Sequence, residues 1–171
     1  TDRGLVAGLL GMRPDDERIP DSFEIARKMG LSYSFGIANL TSAHPNSVVL
    51  EVKGKSGRTL EVQACSLGGG RIMINRLDGL DVNCSCEIPT LIVHNLDQPG
   101  HVAEVTSMLA HKSVNIANMS LYRDKRGGSA VMVVEMDQPL PKESLEWLEH
   151  LEGIVKVTYI NVTEGEEDDV L

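Results

Sequence analysis

The sequence predicts an α+β chain whose second half is a small sheet with two helices on one side. The stretch from Pro89 to Val162 reads strand, helix, strand, strand, helix, strand. Along it the apolar residues change from alternation to the i, i+3, i+4 spacing of an amphipathic helix, and back again. Its first turn, residues 94–100, is polar and closes on Pro99-Gly100 just before the first helix.

The first half predicts a mixed α/β lobe that runs to about residue 80. Apolar and polar residues alternate on both sides of a glycine-flanked turn, which is typical of a hairpin. A cap residue followed by an apolar face and a glycine predicts a helix. The predicted elements are a helix end at 5–12, a helix from 21 or 22 to Gly30, strands around the turn 54–57, a short strand at 72–74, and a linker or edge strand at 81–88.

Each element of the second half has its own signal. Leu91 and Val93 alternate with Ile92 in the first strand, and Pro141 suits the start of the second helix. The remaining elements are a helix through 102–109, a strand through 114–121, a hairpin loop at 123–128, a strand at 130–136, a helix ending at Gly153, a last strand at 154–162, and an acidic tail at 163–171 that we expect to be disordered. The two lobes differ in their turns, which predicts separate units.

Composition excludes several functional classes. The net charge is −9 with a pI near 5.0, which argues against nucleic acid and anionic membranes as partners, since both require clustered cations. No apolar run is long enough to span a bilayer, and no signal peptide is recognisable. Three cysteines at uninformative spacing fit a reduced, cytoplasmic chain. Because the chain starts without Met inside an apolar segment, we expect upstream sequence to be missing.

The Pro-Gly turn is the first candidate site. The start of a helix attracts a carboxylate, because its first N–H groups lack partners and its dipole end is positive. Asn95 and Asp97 would hold the ammonium and hydroxyl of a small zwitterion, with Gly100 in the turn and Asn115 or Asn118 lying opposite. This pattern indicates an amino-acid sensor. In the alternative interpretation, Asn and Asp simply bond their own backbone.

A second set of candidates lies in the first lobe. Ser66-Leu67-Gly68-Gly69-Gly70 leaves the backbone bare for a ligand or a neighbouring chain, or else forms only a bulged turn. His44, which precedes Pro45, is a candidate general acid or base, or a group that orients the substrate. In the alternative interpretation it is an ordinary turn residue. Thr1 and Asp2 are a candidate remnant of an active-site loop.

The cysteines do not predict a metal site. Cys84 and Cys86 would point to one face of an extended segment, but Cys65 is the only other thiol and no CxxC is present. No complete set of catalytic residues is recognisable in this sequence by itself.

Three motifs together resemble one family. Residues 1–11, His44-Pro45-Asn46, and Ser66–Gly70 followed by Arg71-Ile72 resemble the β chain or β domain of bacterial iron–sulfur-dependent L-serine dehydratase. Residues 89–162 resemble its C-terminal ACT domain. The resemblance implies a substrate-binding-like α/β lobe at 1–83, N-terminally truncated, followed by a ferredoxin-like βαββαβ ACT domain at 89–162.

The resemblance also implies a function. The family converts L-serine to pyruvate and ammonia with a [4Fe–4S] cluster held by an α chain or α domain, so this chain alone should be inactive. Its ACT domain would bind L-serine between two copies of the chain. The residues that match positions lining the catalytic pocket are Thr1, Asp2, His44, Ser66, Gly68, Gly69 and Gly70. Those that match the serine sensor are Asn95, Asp97, Gly100 and Asn115.

Two other functions remain open from the sequence. The chain is alternatively a stand-alone amino-acid-binding regulatory module, or the regulatory half of an enzyme of the phosphoglycerate dehydrogenase kind. Residues 2–11 and the Ser66–Gly70 run favour the dehydratase.

Overall fold

The computed structural model describes residues 1–41 and 43–161, which form two compact units. The first unit is Thr1–Thr41, and the second comprises the described residues that follow. Val162 and the predicted tail at 163–171 lie outside the described residues. Among the described helices, none has the length and apolar character needed to cross a bilayer.

The first unit is helical. It contains α1 (Asp2–Leu9) and α2 (Ser22–Met29), with a 3₁₀ turn at Ile19–Asp21 between them. Ser22 Oγ donates to the Arg3 carbonyl at 3.0 Å, and the Arg3 guanidinium lies 5.5 Å from the ring centroid of Phe23. Gly30 ends α2 in the left-handed region, as predicted. The apolar stretch at 5–12 is helical only as far as Leu9.

The second unit begins with an antiparallel four-stranded sheet. Its strands are β1 (Ser47–Lys53), β2 (Thr59–Gly68), β3 (Arg71–Leu77) and β4 (Leu80–Cys84), in that spatial order. The hairpin around residues 54–57 is confirmed, and the segment 81–88 contributes an edge strand. The predicted α/β lobe is divided between the two compact units: its helices lie in the first and its strands in the second.

The predicted strand–helix–strand–strand–helix–strand order is confirmed in the rest of this unit. Its elements are β5 (Thr90–Leu96), α3 (His101–His111), β6 (Ile116–Arg123), β7 (Ser129–Met136), α4 (Lys142–Glu149) and β8 (Ile154–Ile160). The spatial order is β6-β7-β5-β8, and every neighbouring pair is antiparallel. Strands β5 and β6 therefore run in the same direction, since each opposes β7.

The second sheet is covered on both faces. Leu91 and Val93 of β5 pack with α3 and α4, whereas Ile92 faces the first sheet together with Val131 and Val133 of β7. Successive strand residues point to opposite faces, so a central strand covered on both sides is apolar at nearly every position. The strands of the first predicted lobe thus share a core with the second lobe. The predicted boundaries at residues 83 and 89 stay predictions.

Polar contacts also tie the first sheet to β8. Lys156 Nζ donates to Asp78 Oδ2 at 2.5 Å and to the Thr59 carbonyl at 2.8 Å. The Arg58 guanidinium donates to the Val157 carbonyl. Burial opposes the charge of Asp78, but the bonds from Lys156 and from the Glu61 amide outweigh it and lower the pKa of the Asp78 carboxyl. These bonds fix one sheet on the other.

Candidate functional site

The Ser66–Gly70 run is the tip of the β2–β3 hairpin. Gly68 pairs with Arg71, and Gly69 and Gly70 form the two-residue loop with φ values of 62° and 78°. Positive φ at both loop residues matches the twist of the strands, and glycine adopts it without steric cost. A bulge precedes the loop, between Ser66 and Gly68. The structure therefore matches the predicted bulged turn, and the tip is exposed.

His44 lies at the same end of this sheet. The Asn46 amide donates to His44 Nδ1 at 3.2 Å, and the Ser66 amide donates to the Asn46 carbonyl at 3.0 Å. Two large apolar side chains beside the tip, Leu67 and Ile72, are 44% and 45% exposed. We call this surface, made of His44, residues 66–70 and Ile72, the hairpin end. The structure brings five of the seven predicted pocket residues together there.

Thr1 and Asp2 are the other two predicted pocket residues. Both are exposed and lie at the start of α1, in the first unit, with Thr1 at the N-cap and Asp2 in the first turn. An acidic residue at this position interacts favourably with the helix dipole. Their role in a pocket stays a prediction.

The Pro-Gly turn leads into α3 without a side-chain cap. Gly100 is the N-cap residue with φ of 112°, a conformation that residues with a Cβ rarely adopt. In the described part of the chain, no side chain caps the first amides of this 11-residue helix, so they remain able to receive an anion. The predicted position of Gly100 in the turn is thus the position that sets the helix start.

Two buried polar side chains flank this helix start. Asn95 is 4% exposed; its Nδ2 donates to the Leu96 carbonyl at 2.6 Å, and its Oδ1 has no partner among the described residues. His101 is 7% exposed, and its Nδ1 lies 3.0 Å from Glu104 Oε2. A carboxylate only accepts, so Nδ1 carries the proton and, in a neutral ring, Nε2 is an acceptor. His101 Nε2 is also without a partner in the described chain.

His101 is the residue that reading the sequence missed. The signal that could have found it is position, because His101 opens the helix directly after Pro99-Gly100. Its ring lies against Gly153, where a Cβ would come within 2.5 Å of Nε2. The Leu96 amide donates to the Gly153 carbonyl at 2.9 Å, so Gly153 contacts both the end of β5 and the start of α3.

Asp97 is bonded within the chain. Its Oδ2 accepts from the Gly127 amide at 2.9 Å and from Arg123 Nη1 at 3.2 Å, and its own amide donates to the Gly128 carbonyl. The hydrogen bond from Gly127, followed by that from Arg123, holds the pKa of the Asp97 carboxyl below its usual range. Asp97 thus attaches the Pro-Gly turn to the β6–β7 loop, and its ligand role stays a prediction.

Asn115 lies at the other end of the sheet. Because β5 and β6 run in the same direction, the start of β6 neighbours the start of β5, about 20 Å from the turn after β5 by strand rise. Asn115 Nδ2 donates to Asp137 Oδ2 at 2.5 Å. The expectation that Asn115 and Asn118 face the turn is therefore wrong within one chain.

The cysteines do not fit an iron–sulfur cluster. A [4Fe–4S] cluster takes four thiolate ligands, and this chain has three cysteines. Cys84 and Cys86 are buried with their Sγ atoms 3.1 Å apart, and the described residues contain no group of three side chains suited to a metal ion. That another chain or domain holds the cluster stays a prediction.

Comparison with known proteins gives the family. The model of the ACT domain family matches residues 89–152, and the chain contains an ACT domain. The chain is 33% identical to the "L-serine dehydratase, beta chain" of Peptoniphilus asaccharolyticus, over 95% of this chain and 73% of that relative. It is also 33% identical to the "Probable L-serine dehydratase, beta chain" of Bacillus subtilis (strain 168), over 94% and 72%.

A second group of relatives is much longer than this chain, which covers 14–30% of each of them, in one case with 94% of its own residues at 25% identity. The chain is 31% identical to the "D-3-phosphoglycerate dehydrogenase" of Methanocaldococcus jannaschii, over 53% of this chain but only 17% of that relative. The matches to the beta chains extend over nearly the whole chain and most of the relative. The chain therefore belongs to the family of L-serine dehydratase beta chains.

Proposed function

We propose that this chain is the β part of an L-serine ammonia-lyase, which converts L-serine to pyruvate and ammonia in the cytoplasm. It completes the active site of an α part that holds the [4Fe–4S] cluster, and it senses L-serine through its ACT domain. Family membership supports the enzyme. The sensor is supported by one observation above all: at the uncapped start of α3, Asn95 and His101 each have a buried acceptor atom without a partner among residues 1–41 and 43–161.

These groups match the chemistry of a free amino acid. The α3 amides and dipole favour a carboxylate, while Asn95 Oδ1 and His101 Nε2 accept hydrogen bonds from an ammonium or a hydroxyl. A buried acceptor left unpaired costs free energy that a ligand donor recovers. Serine has about seven heavy atoms, so its affinity should lie between micromolar and millimolar.

The position of Asn115 supports a site shared by two copies of the chain. Strand β6 is at the edge of its sheet, and its Leu121 side chain is 49% exposed. A two-fold axis would pair two β6 edges in opposite directions, which brings the start of one strand beside the end of the other. Arg123 at that end is bonded to Asp97, so Asn115 of one copy would approach the Pro-Gly turn of its partner.

The test of the sensor uses two variants and their mixture. Asp97→Ala and Asn115→Ala are each expected to weaken L-serine binding measured by calorimetry. In a refolded equal mixture, a shared site predicts that about one site in four is intact again. Asn83→Ala, an exposed strand residue in the first sheet, is the matched control and should bind as the parent chain does. A mixture that binds no better than the single variants would exclude the shared site.

The hairpin end is the surface we assign to the α part. It is exposed, carries two large apolar side chains, and presents bare backbone at Gly69 and Gly70, which permits close approach of another chain. His44 stands at its margin, where it would reach a pocket formed with the α part.

The test of this assignment is reconstitution. The purified chain is mixed anaerobically with its α part, and pyruvate formed from L-serine is measured. We expect Leu67→Asp to lower the stimulation strongly, and Val155→Asp to leave it unchanged, because Val155 is 70% exposed on β8, away from the hairpin end. Equal rates with and without this chain would refute the role in the enzyme.

A further inference from the structure

Two thiols meet where the first sheet passes into the second. Strand β4 ends at Cys84, and β5 begins at Thr90. Between them, Cys86 places its Sγ 3.1 Å from that of Cys84. They are 1% and 6% exposed, and both belong to the core that joins the two sheets. The proposed function uses neither of them.

The backbone at this point is unusual. Cys86 has φ of 55°, a left-handed conformation that residues other than glycine seldom adopt and that costs free energy unless its surroundings stabilise it. Extended residues two apart have Cα atoms about 6.6 Å apart, which is within the range that a disulfide spans. The two Sγ atoms lie 3.1 Å apart, so a bond of about 2 Å between them requires a movement of only about 1 Å.

The two thiols also differ in acidity. The thiol of Cys86 bonds to the sulfur of Cys84, which lowers the pKa of Cys84 and raises the pKa of Cys86. Cys84 is therefore the sulfur on which a thiolate forms more readily, and the thiolate is the reactive species. Cys86 keeps its proton and stands within reach to react second.

We propose that Cys84 and Cys86 form a reversible disulfide when the chain meets a peroxide. The Cys84 thiolate attacks one peroxide oxygen, the O–O bond breaks, and a sulfenic acid forms as hydroxide leaves. The Cys86 thiol then attacks the Cys84 sulfur and releases water. With hydrogen peroxide, two thiols and one peroxide become one disulfide and two waters, so sulfur is oxidised and oxygen reduced. A thiol reductant reverses the reaction by exchange.

A disulfide between Cys84 and Cys86 would affect how the two sheets are connected. Ser85, between the two cysteines, donates to Glu135 of β7 at 3.4 Å, so the segment already rests on the central strands of the second sheet. A disulfide would fix the connection between the two sheets in one conformation. The ring it closes is short, so the bond adds less stability than one that closes a long loop, and reduction remains easy.

The test exposes the folded full chain to graded hydrogen peroxide, blocks the remaining thiols with a maleimide after denaturation, and locates them by mass. We expect two of the three thiols to disappear together, with the peptide that carries Cys84 and Cys86 losing two hydrogens and accepting no maleimide. Dithiothreitol should restore both thiols. The pair should lose its thiols at lower peroxide than Cys65 does, because Cys86 lies beside Cys84 and converts its sulfenic acid into a disulfide.

Two variants keep the outcome decisive. Cys65→Ser removes a cysteine that is 4% exposed and should leave the peroxide reaction unchanged. Cys86→Ser, at a position outside any strand, should abolish the disulfide while the chain keeps its circular dichroism spectrum. Three free thiols after peroxide, a bond that forms only in the denatured chain, or oxidation of the pair to sulfinic acid would each overturn the proposal.

Discussion

The contact between His101 and Gly153 gives the sharpest test of the packing at the Pro-Gly turn. Gly153 has φ of 82°, and a Cβ built on it lies 2.5 Å from His101 Nε2. The imidazole has little room to retreat, because it is 7% exposed and its other nitrogen lies 3.0 Å from Glu104 Oε2. Gly153→Ala should therefore destabilise the chain in two separate ways.

The two costs can be estimated separately. Placing an L residue in the left-handed region costs about 1–2 kcal/mol. Forcing a methyl group into the space of a packed ring costs about 1–3 kcal/mol more. A total near 3 kcal/mol lowers the melting midpoint of a chain of this size by about 6–12 °C.

The assay is thermal unfolding followed by circular dichroism. Gly57→Ala is the matched control, because Gly57 has φ of 85° and no described atom lies within 4 Å of its Cβ position. It should cost only the backbone part, about 2–8 °C and less than Gly153→Ala. In a chain that already carries His101→Ala, adding Gly153→Ala should lower the melting midpoint by no more than Gly57→Ala lowers that of the parent chain. Equal losses for Gly153→Ala and Gly57→Ala would refute the contact.

Three further predictions concern the join between the two sheets. Ile92→Ala should cost about 2–5 kcal/mol of unfolding free energy, as much as Leu91→Ala, because the first sheet covers Ile92 as fully as the helices cover Leu91; a near-neutral Ile92→Ala would contradict the shared core. Lys156→Met should cost about 1 kcal/mol by breaking the bond to the first sheet, while Lys28→Met, in an exposed ion pair, should have little measurable effect. Burial lowers the pKa of the His94 imidazole below its usual 6.5, so its contribution to stability is complete above that pH and is lost as the pH falls through the lower folded-state pKa. His94→Gln should flatten the loss of melting midpoint between about pH 7 and 5, and an unchanged slope would count against this assignment.

Local patterns of apolar and turn residues predicted most of the helices and strands. Alternation marked the strands around residues 54–57, and Gly30 ended its helix because the left-handed conformation there suits a residue without a Cβ. The order of elements in residues 89–161 followed from a change in the period of the apolar residues. The Pro-Gly turn was found because helix starts have a recognisable chemistry.

Long-range contacts were not predictable in the same way. Lys156 and Asp78 are 78 residues apart, and neither has a local pattern that names its partner. Asn115 was expected opposite the turn, yet the parallel course of β5 and β6 places it at the far end of the sheet. His101 was not predicted because its contact is with Gly153, which lies far along the chain, just before the last strand.

The spacing of neighbouring residues was enough to give the order of strands and helices in the ACT domain and the position of its Pro-Gly turn. It also gave the resemblance that the comparisons confirmed as membership of the L-serine dehydratase beta chain family. Three features follow from packing between distant segments instead: another sheet covers the outer face of the ACT sheet, Cys84 and Cys86 meet between the two sheets, and Asn115 lies far from the turn of its own chain. The reason is physical: a side chain's period tells which face it lies on, but what covers that face depends on how distant segments pack together.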